Sequence, residues 1–185
     1  MRRVLLAVAA ALLTGCTTVV EGTPSAPTGV LLPPRPREVR LDGVDPCSLL
    51  TAEQRVRLGL DGEPRRSTSQ SALYQGPVLL CTILGFNPDA VAAGVGIVTT
   101  AGIQLWLSHD LNADVRMKSV AGFPAVTAIP TSASGYCSVD VDVAPGQLLD
   151  IQVQDAGREP PLTQDQLCAA AGRVAEAAMT ELLTG

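Results

Sequence analysis

Five cysteines set the outer limits on what this 185-residue chain can become. The first, Cys16, lies behind a positive start at Arg2 and Arg3 and an apolar run from Val4 to Leu13, which is the pattern of an export signal. As a helix that run would be about 15 Å long, short of the ~20 residues needed to span a bilayer, so a transmembrane anchor is not expected. The other four, Cys47, Cys81, Cys137 and Cys168, are an even set in an exported chain. Such a set predicts two disulfides, and hence a fold in which four fixed points of the chain meet in two pairs.

The end of the signal adds an anchor. Leu13-Thr14-Gly15-Cys16 resembles the bacterial lipobox, in which the signal is cut between the residues standing here as Gly15 and Cys16 and the thiol receives a diacylglyceryl group. The competing reading is an ordinary secretory signal in which Cys16 is incidental; Arg2-Arg3 lacks the surroundings of a twin-arginine signal. Each buried methylene of an acyl chain contributes about 0.8 kcal/mol, and more than one chain gives stable anchoring. Residues 1–15 are thus read as signal peptide, and Cys16 as the lipid-bearing attachment to the outer face of the cell membrane. From Cys16 to Arg40 the chain carries Pro24, Pro27, Pro33, Pro34 and Pro36 among Thr, Ser and Gly, a tether composition that at about 3.1 Å per residue reaches roughly 70 Å. Residues 41–185 make one domain, with no length for a second.

Charge excludes one class of partner. Without Arg2 and Arg3 the chain has 11 basic against 18 acidic residues, a formal charge of −7. With five aromatic residues and no basic stripe, neither phosphate neutralisation nor base stacking is supported, so no nucleic-acid partner is expected.

Within the domain, Thr51-Ala-Glu-Gln54 has capping-box spacing ahead of Val56 and Leu60, with Leu50 near the same face, and predicts a short helix. Arg65 to Ser71 reads as a polar loop. Pro77–Leu84, Ala93–Thr100, Val115–Val120 and Phe123–Ile129 read as strands, the last two separated by a bend at Ala121-Gly122, and Ile103–Leu107 fits either helix or strand. Tyr136–Val143 alternates strictly, and Pro145-Gly146 leads into Gln147–Val153 as the second arm of a hairpin. Thr163-Gln-Asp-Gln166 is a second capping box, followed by Leu167, Ala171, Val174, Ala178 and Leu182 at helical spacing. The expected architecture is α+β: an antiparallel sheet of about five strands with an N-terminal and a C-terminal helix packed on it. Of the three possible cysteine pairings, 47 with 81 and 137 with 168 would staple each helix to the sheet, each closing a loop worth roughly 3 to 4 kcal/mol in the chain-entropy model. No Cys-x-x-Cys motif and no zinc-ligand spacing is present, so neither a redox centre nor a metal is expected.

Together, the lipobox, the proline-rich tether, Asp45-Pro-Cys-Ser-Leu-Leu-Thr51, Cys81, Gly122-Phe-Pro-Ala-Val126, Cys137-Ser-Val-Asp-Val-Asp-Val143 with Pro145-Gly-Gln147, and Cys168 resemble the domain-of-unknown-function 3558 family of actinobacterial lipoproteins. The resemblance spans nearly the whole mature chain. One departure is Ile83, where the family usually has an aromatic residue two positions after the second cysteine. The resemblance implies location and fold and carries no catalytic residue.

Candidate chemistry is sparse. His109, the sole histidine, stands between Ser108 and Asp110, but no Gly-x-Ser-x-Gly elbow supplies a nucleophile. Asp140 and Asp142 lie two apart on one strand, hence on one face, where paired carboxylates could bind calcium or act as acid and base; with valines on the other face, a solvent-facing surface is the plainer reading. Gly94 and Gly96 lack the lysine and hydroxyl residue of a phosphate loop. The expected function is non-catalytic: a monomeric module without cofactor, recognising an envelope ligand or another exported protein. The alternative is an envelope hydrolase using His109 or the Asp140 and Asp142 pair.

Overall fold

The computed structural model describes residues 32–87, 90–108, 111–131 and 134–185. Seven strands form one antiparallel sheet: β1 (Arg65–Ser71), β2 (Gly76–Gly85), β3 (Val91–Val98), β4 (Ala113–Val120), β5 (Phe123–Pro130), β6 (Tyr136–Ala144) and β7 (Gln147–Asp155), in the order β1-β2-β3-β7-β6-β5-β4. Three helices accompany it: α1 (Ala52–Arg57), α2 (Gln104–Leu107) and α3 (Gln164–Thr184). The α+β character and the C-terminal helix match the expectation, but the count of about five strands does not. The strand that the residue pattern does not give is β1, read as a polar loop. Its sequence, Arg-Arg-Ser-Thr-Ser-Gln-Ser, is exposed at every position but the last and is held by main-chain pairing to β2, with Arg66 reaching Asp45, which leaves no hydrophobic period to read. Ile103–Leu107 resolves as the short helix α2.

Two meanders build the sheet. The first, β1-β2-β3, runs outward to inward; the second runs from the edge strand β4 back to β7, which pairs with β3 and closes the middle. Its first corner is tight: Ala121 and Gly122 take φ of +48° and +82°, the left-handed pair that a two-residue hairpin turn requires, and Glu176 of α3 accepts the Ala121 N–H at 3.0 Å. Both capping boxes form, with Thr51 and Thr163 hydroxyls accepting from the N–H of Gln54 and Gln166 while the glutamine side chains accept in return.

Alternation divides the side chains between two faces. On one, Cys81, Ile83, Val95, Ile97, Val139, Val141, Leu149 and Ile151 meet Leu167, Ala171, Val174, Ala178 and Met179 of α3 together with Leu41, Leu49, Leu50 and Leu60. This is the larger core. Two disulfides lock it from within: Cys47, in a 3₁₀ turn at Pro46–Ser48, joins Cys81 of β2, and Cys137 of β6 joins Cys168 of α3, with Cα atoms 5.0 and 5.1 Å apart. On the opposite face a smaller cluster gathers Val78, Val98, Val126, Ala128 and Leu148 under Tyr74, Ile103 and Trp106. The chain ahead of Leu41 is already in register with the sheet, since Val39 donates to the Val143 carbonyl at 2.8 Å and the buried amide of Gln147 takes the Leu41 N–H at 2.7 Å.

Candidate functional site

The smaller face holds the unusual chemistry. In β6 the even-numbered residues Ser138, Asp140 and Asp142 point to it, and a plain two-residue hairpin at Pro145-Gly146 would set Asp140 opposite Ile151. A bulge between Asp142 and Ala144 shifts the register by one residue. Asp140 therefore faces Asp150, and Ser138 faces Gln152. On the far side of Asp150 stands Gly96 of β3, where a Cβ would lie 3.3 Å from the Asp150 Oδ2 and from its Cβ, so only glycine leaves the carboxyl its full space.

Both carboxyls are enclosed, with 0 % and 1 % of Asp140 and Asp150 exposed. Each oxygen has a neighbour. Tyr74 donates to Asp140 Oδ1 at 2.9 Å, Gln152 donates to Asp150 Oδ2 at 2.7 Å, and the Ser138 hydroxyl lies between Asp140 Oδ2 (2.7 Å) and Asp150 Oδ1 (3.2 Å). Ser138 has one proton to donate, so one of its two contacts must come from a protonated carboxyl. Electrostatics agree. Burial, and then the charge of its neighbour Asp150, drives Asp140 well above the usual carboxylate range; burial raises Asp150 to about 6. The pair thus shares a proton at neutral pH and titrates as a unit. Tyr74 is pushed far up by burial and by the same carboxyls, which keeps it a neutral donor. Among the described residues no cationic side chain pairs with either aspartate.

The solvent-facing surface expected for Asp140 and Asp142 is corrected by this arrangement. They do share a face, but α2, the Tyr74 turn and the chain from Leu32 cover it. Nor do the two pair: Asp142 takes Arg35 at 2.5 Å, which counters only part of the upward push of its burial, while its Oδ1 has no donor among the described residues. No group of three or more His, Cys, Asp or Glu among the described residues is placed to hold a metal ion. His109, Asp110, Gly15 and Cys16 lie outside the described residues. Ser108 ends α2 with its hydroxyl donating to the Leu105 carbonyl at 2.9 Å.

Beside the carboxyl pair opens a pocket of about 260 Å³ whose walls include Tyr74, Trp106, Tyr136, Gln152, Ser71 and Ala128. Both tyrosines and the one tryptophan of the chain are there, three of its five aromatic residues. Tyr74 is set by the β1–β2 turn, where its N–H donates to Ser71 Oγ at 3.1 Å and its carbonyl accepts from Thr100 at 2.7 Å. Trp106 comes from α2. Its indole N–H is near enough to ease the charge on Asp140, yet it is buried with no acceptor at hydrogen-bonding geometry among the described residues. Aromatic walls and one side-chain amide make a cavity suited to hold a small ligand. Of these residues sequence reasoning singled out only Asp140. Asp150 and Gln152 share the alternation of Gln147–Val153, but the bulge that turns them toward Ser138 and Asp140 leaves no mark in the pattern.

A single disulfide-stapled sheet with one helical face and one polar-cored face is the structural class. The family model described as protein of unknown function (DUF3558) matches residues 11–181, and the chain belongs to that family. No curated protein and no solved structure matches it.

Proposed function

We propose that the chain is an exported lipoprotein, held at the outer face of the cell membrane by lipid on Cys16, whose domain binds a small envelope ligand in the Tyr74, Trp106 and Tyr136 pocket without transforming it. The observation that carries this reading is the concentration of aromatic side chains at one cavity of an aromatic-poor chain. The burial of the neighbouring carboxyls favours binding over the hydrolase alternative. An acid or base must come within hydrogen-bond reach of a substrate, whereas Asp140 and Asp150 are spent on Tyr74, Ser138 and Gln152. The lipid anchor is supported by Leu13-Thr14-Gly15-Cys16, and among the described residues no helix is long and apolar enough to cross a membrane.

Trp106 provides the test, as the only tryptophan. Titration of the protein with fractionated cell-wall saccharides and lipids is expected to shift its emission saturably, and Tyr136→Ala is expected to weaken that shift about tenfold or more. Equal shifts in wild type and variant would reject the pocket. Metabolic labelling with a clickable fatty acid tests the anchor: label must appear on the wild type and vanish in Cys16→Ser.

A further inference from the structure

On the opposite side of the sheet from that pocket, a second cavity of about 360 Å³ lies among the end of α1, the loop leading from β7 to α3, and one stripe of α3. Three of the twelve arginines of this acidic chain, Arg57, Arg158 and Arg173, line it with Gln166, and no carboxylate is among its lining residues. We infer that this cavity is an anion site that takes a phosphoryl group attached to a small apolar body.

Three observations carry the assignment. The first is charge: in a chain of formal charge −5, the residues lining this cavity include three arginines and no aspartate or glutamate, with Glu53 beside Arg57 and Asp155 near Arg158 standing outside the lining. Guanidinium groups present forked donors matched to phosphate and carboxylate oxygens, and three of them suit an oxyanion with three free oxygens better than a carboxylate with two. The second is the way the arginines are mounted. Arg173 follows Gln166 and Ala169 on one stripe of α3, a helix clamped at Cys168 by its disulfide to Cys137. Arg158 sits in a loop tied to Asp155, whose carboxylate accepts the N–H of Gly157 at 2.8 Å, of Arg158 at 3.1 Å and of Leu162 at 2.9 Å. Arg57 pairs with Glu53 one helical turn back, an exposed pair of a kind that contributes little and yields readily to a stronger anion. The third is shape. Ala169, Ala170 and Gly59 keep the cavity open, and Leu58, Val91 and Leu162 give it an apolar side for the rest of the ligand.

The phosphoryl group could belong to a soluble phosphate ester or to a lipid headgroup, and the experiment separates the two. Full chain in neutral detergent is titrated calorimetrically with pyrophosphate in a phosphate-free buffer, and in parallel sedimented with vesicles of phosphatidylcholine alone or mixed with phosphatidylglycerol. Arg158→Gln, Arg173→Gln and Ala169→Glu are compared with Arg116→Gln on β4, which is remote from the cavity; Ala169→Glu places a carboxylate at the cavity while keeping every arginine and a good helix former. Pyrophosphate binding that falls about tenfold in each arginine variant, is lost in Ala169→Glu and is unchanged in Arg116→Gln supports the site with a soluble ester. Vesicle binding that needs phosphatidylglycerol and shows the same pattern supports the site with a headgroup. Binding of neither, or binding that the cavity variants leave as strong as Arg116→Gln does, overturns it. Thermal melting of each variant by circular dichroism confirms that folded protein is compared.

Discussion

The two faces of one sheet are built on different terms. The core under α3 is built of apolar side chains and is crossed by both disulfides, so its contribution comes mainly from surface removed from water and from restricting the unfolded chain. The face under α2 buries Asp140, Asp142 and Asp150 beneath a four-residue helix and a turn. Enclosing carboxyls costs stability unless every oxygen is matched. The difference separates labour. A domain that can lean on one face for its stability can spend the other on a polar, proton-holding cavity wall.

Removing the strongest support of the first face should have the largest effect. Replacing Cys137 and Cys168 together by alanine is expected to cost about 3 to 4 kcal/mol in urea unfolding, because the bridge closes a loop 31 residues long in the unfolded chain. Native-state hydrogen exchange will show where the loss falls: amides from Leu167 to Leu182 should lose protection ahead of those in β3. If they stay as protected as in wild type, packing of Leu167, Val174 and Met179 holds the helix unaided.

The second face should answer to pH instead. An aspartate that titrates at about 6 when folded and near 3.8 when unfolded binds a proton between those values only in the native state. Its stabilising contribution is therefore complete below about pH 4 and is lost as pH rises through 6. Asp42 and Asp155, both held below the usual range by hydrogen bonds, act with the opposite sign: their contribution is present above about pH 4 and is lost on further acidification. Asp150→Asn, in which Gln152 can turn its amide oxygen to the new NH₂, should remove that residue's share of the fall between about pH 4 and 6, on the order of 2 to 3 kcal/mol, and leave the share of Asp140, which burial also holds above its unfolded value. Urea midpoints measured across that range give the slope directly. A slope unchanged by the substitution would mean that Asp150 is not a titrating element in that range.

The smallest effect should come from polar groups on neither inner face. Glu53→Gln breaks the exposed pair with Arg57 and is expected to change stability by no more than about 0.5 kcal/mol. A larger loss in the same denaturation experiment would show that the rim of α1 is more tightly integrated than its exposure implies.

What could be read from the residues follows the same division. The helical face is legible because its signals are local or paired: the capping boxes at Thr51 and Thr163, the stripe from Leu167 to Ala178, and cysteines whose best geometry is to staple helices to strands. The other face depends on non-local coincidences. Strand β1 is polar on both sides and is a strand only because β2 offers it an edge. Asp150 meets Asp140 through a one-residue bulge, and Gly96 makes room for it from a third strand. Trp106 and Tyr74 come from segments whose short spans carry no period. A carboxylate two residues from another on a strand reads as solvated until the chain that roofs it is known, which is why Asp140 and Asp142 were expected to face water.

The segment from Leu32 to Leu41 also makes this domain a mechanical object. Tension on the chain from upstream of Leu32 would be borne in turn by the Arg35 ion pair to Asp142, the Arg37 hydrogen bond to the Leu183 carbonyl of α3, the Val39 hydrogen bond to Val143 and the Gln147 clamp on Leu41. Two of those four attachments fall on β6, beside the bulge that sets Asp140 against Asp150. A pull arriving through Leu32 is thus delivered mainly to the strand that shapes the aromatic pocket, with a share reaching the last turn of α3 through Arg37, while the disulfide at Cys168 lies at the opposite end of that helix.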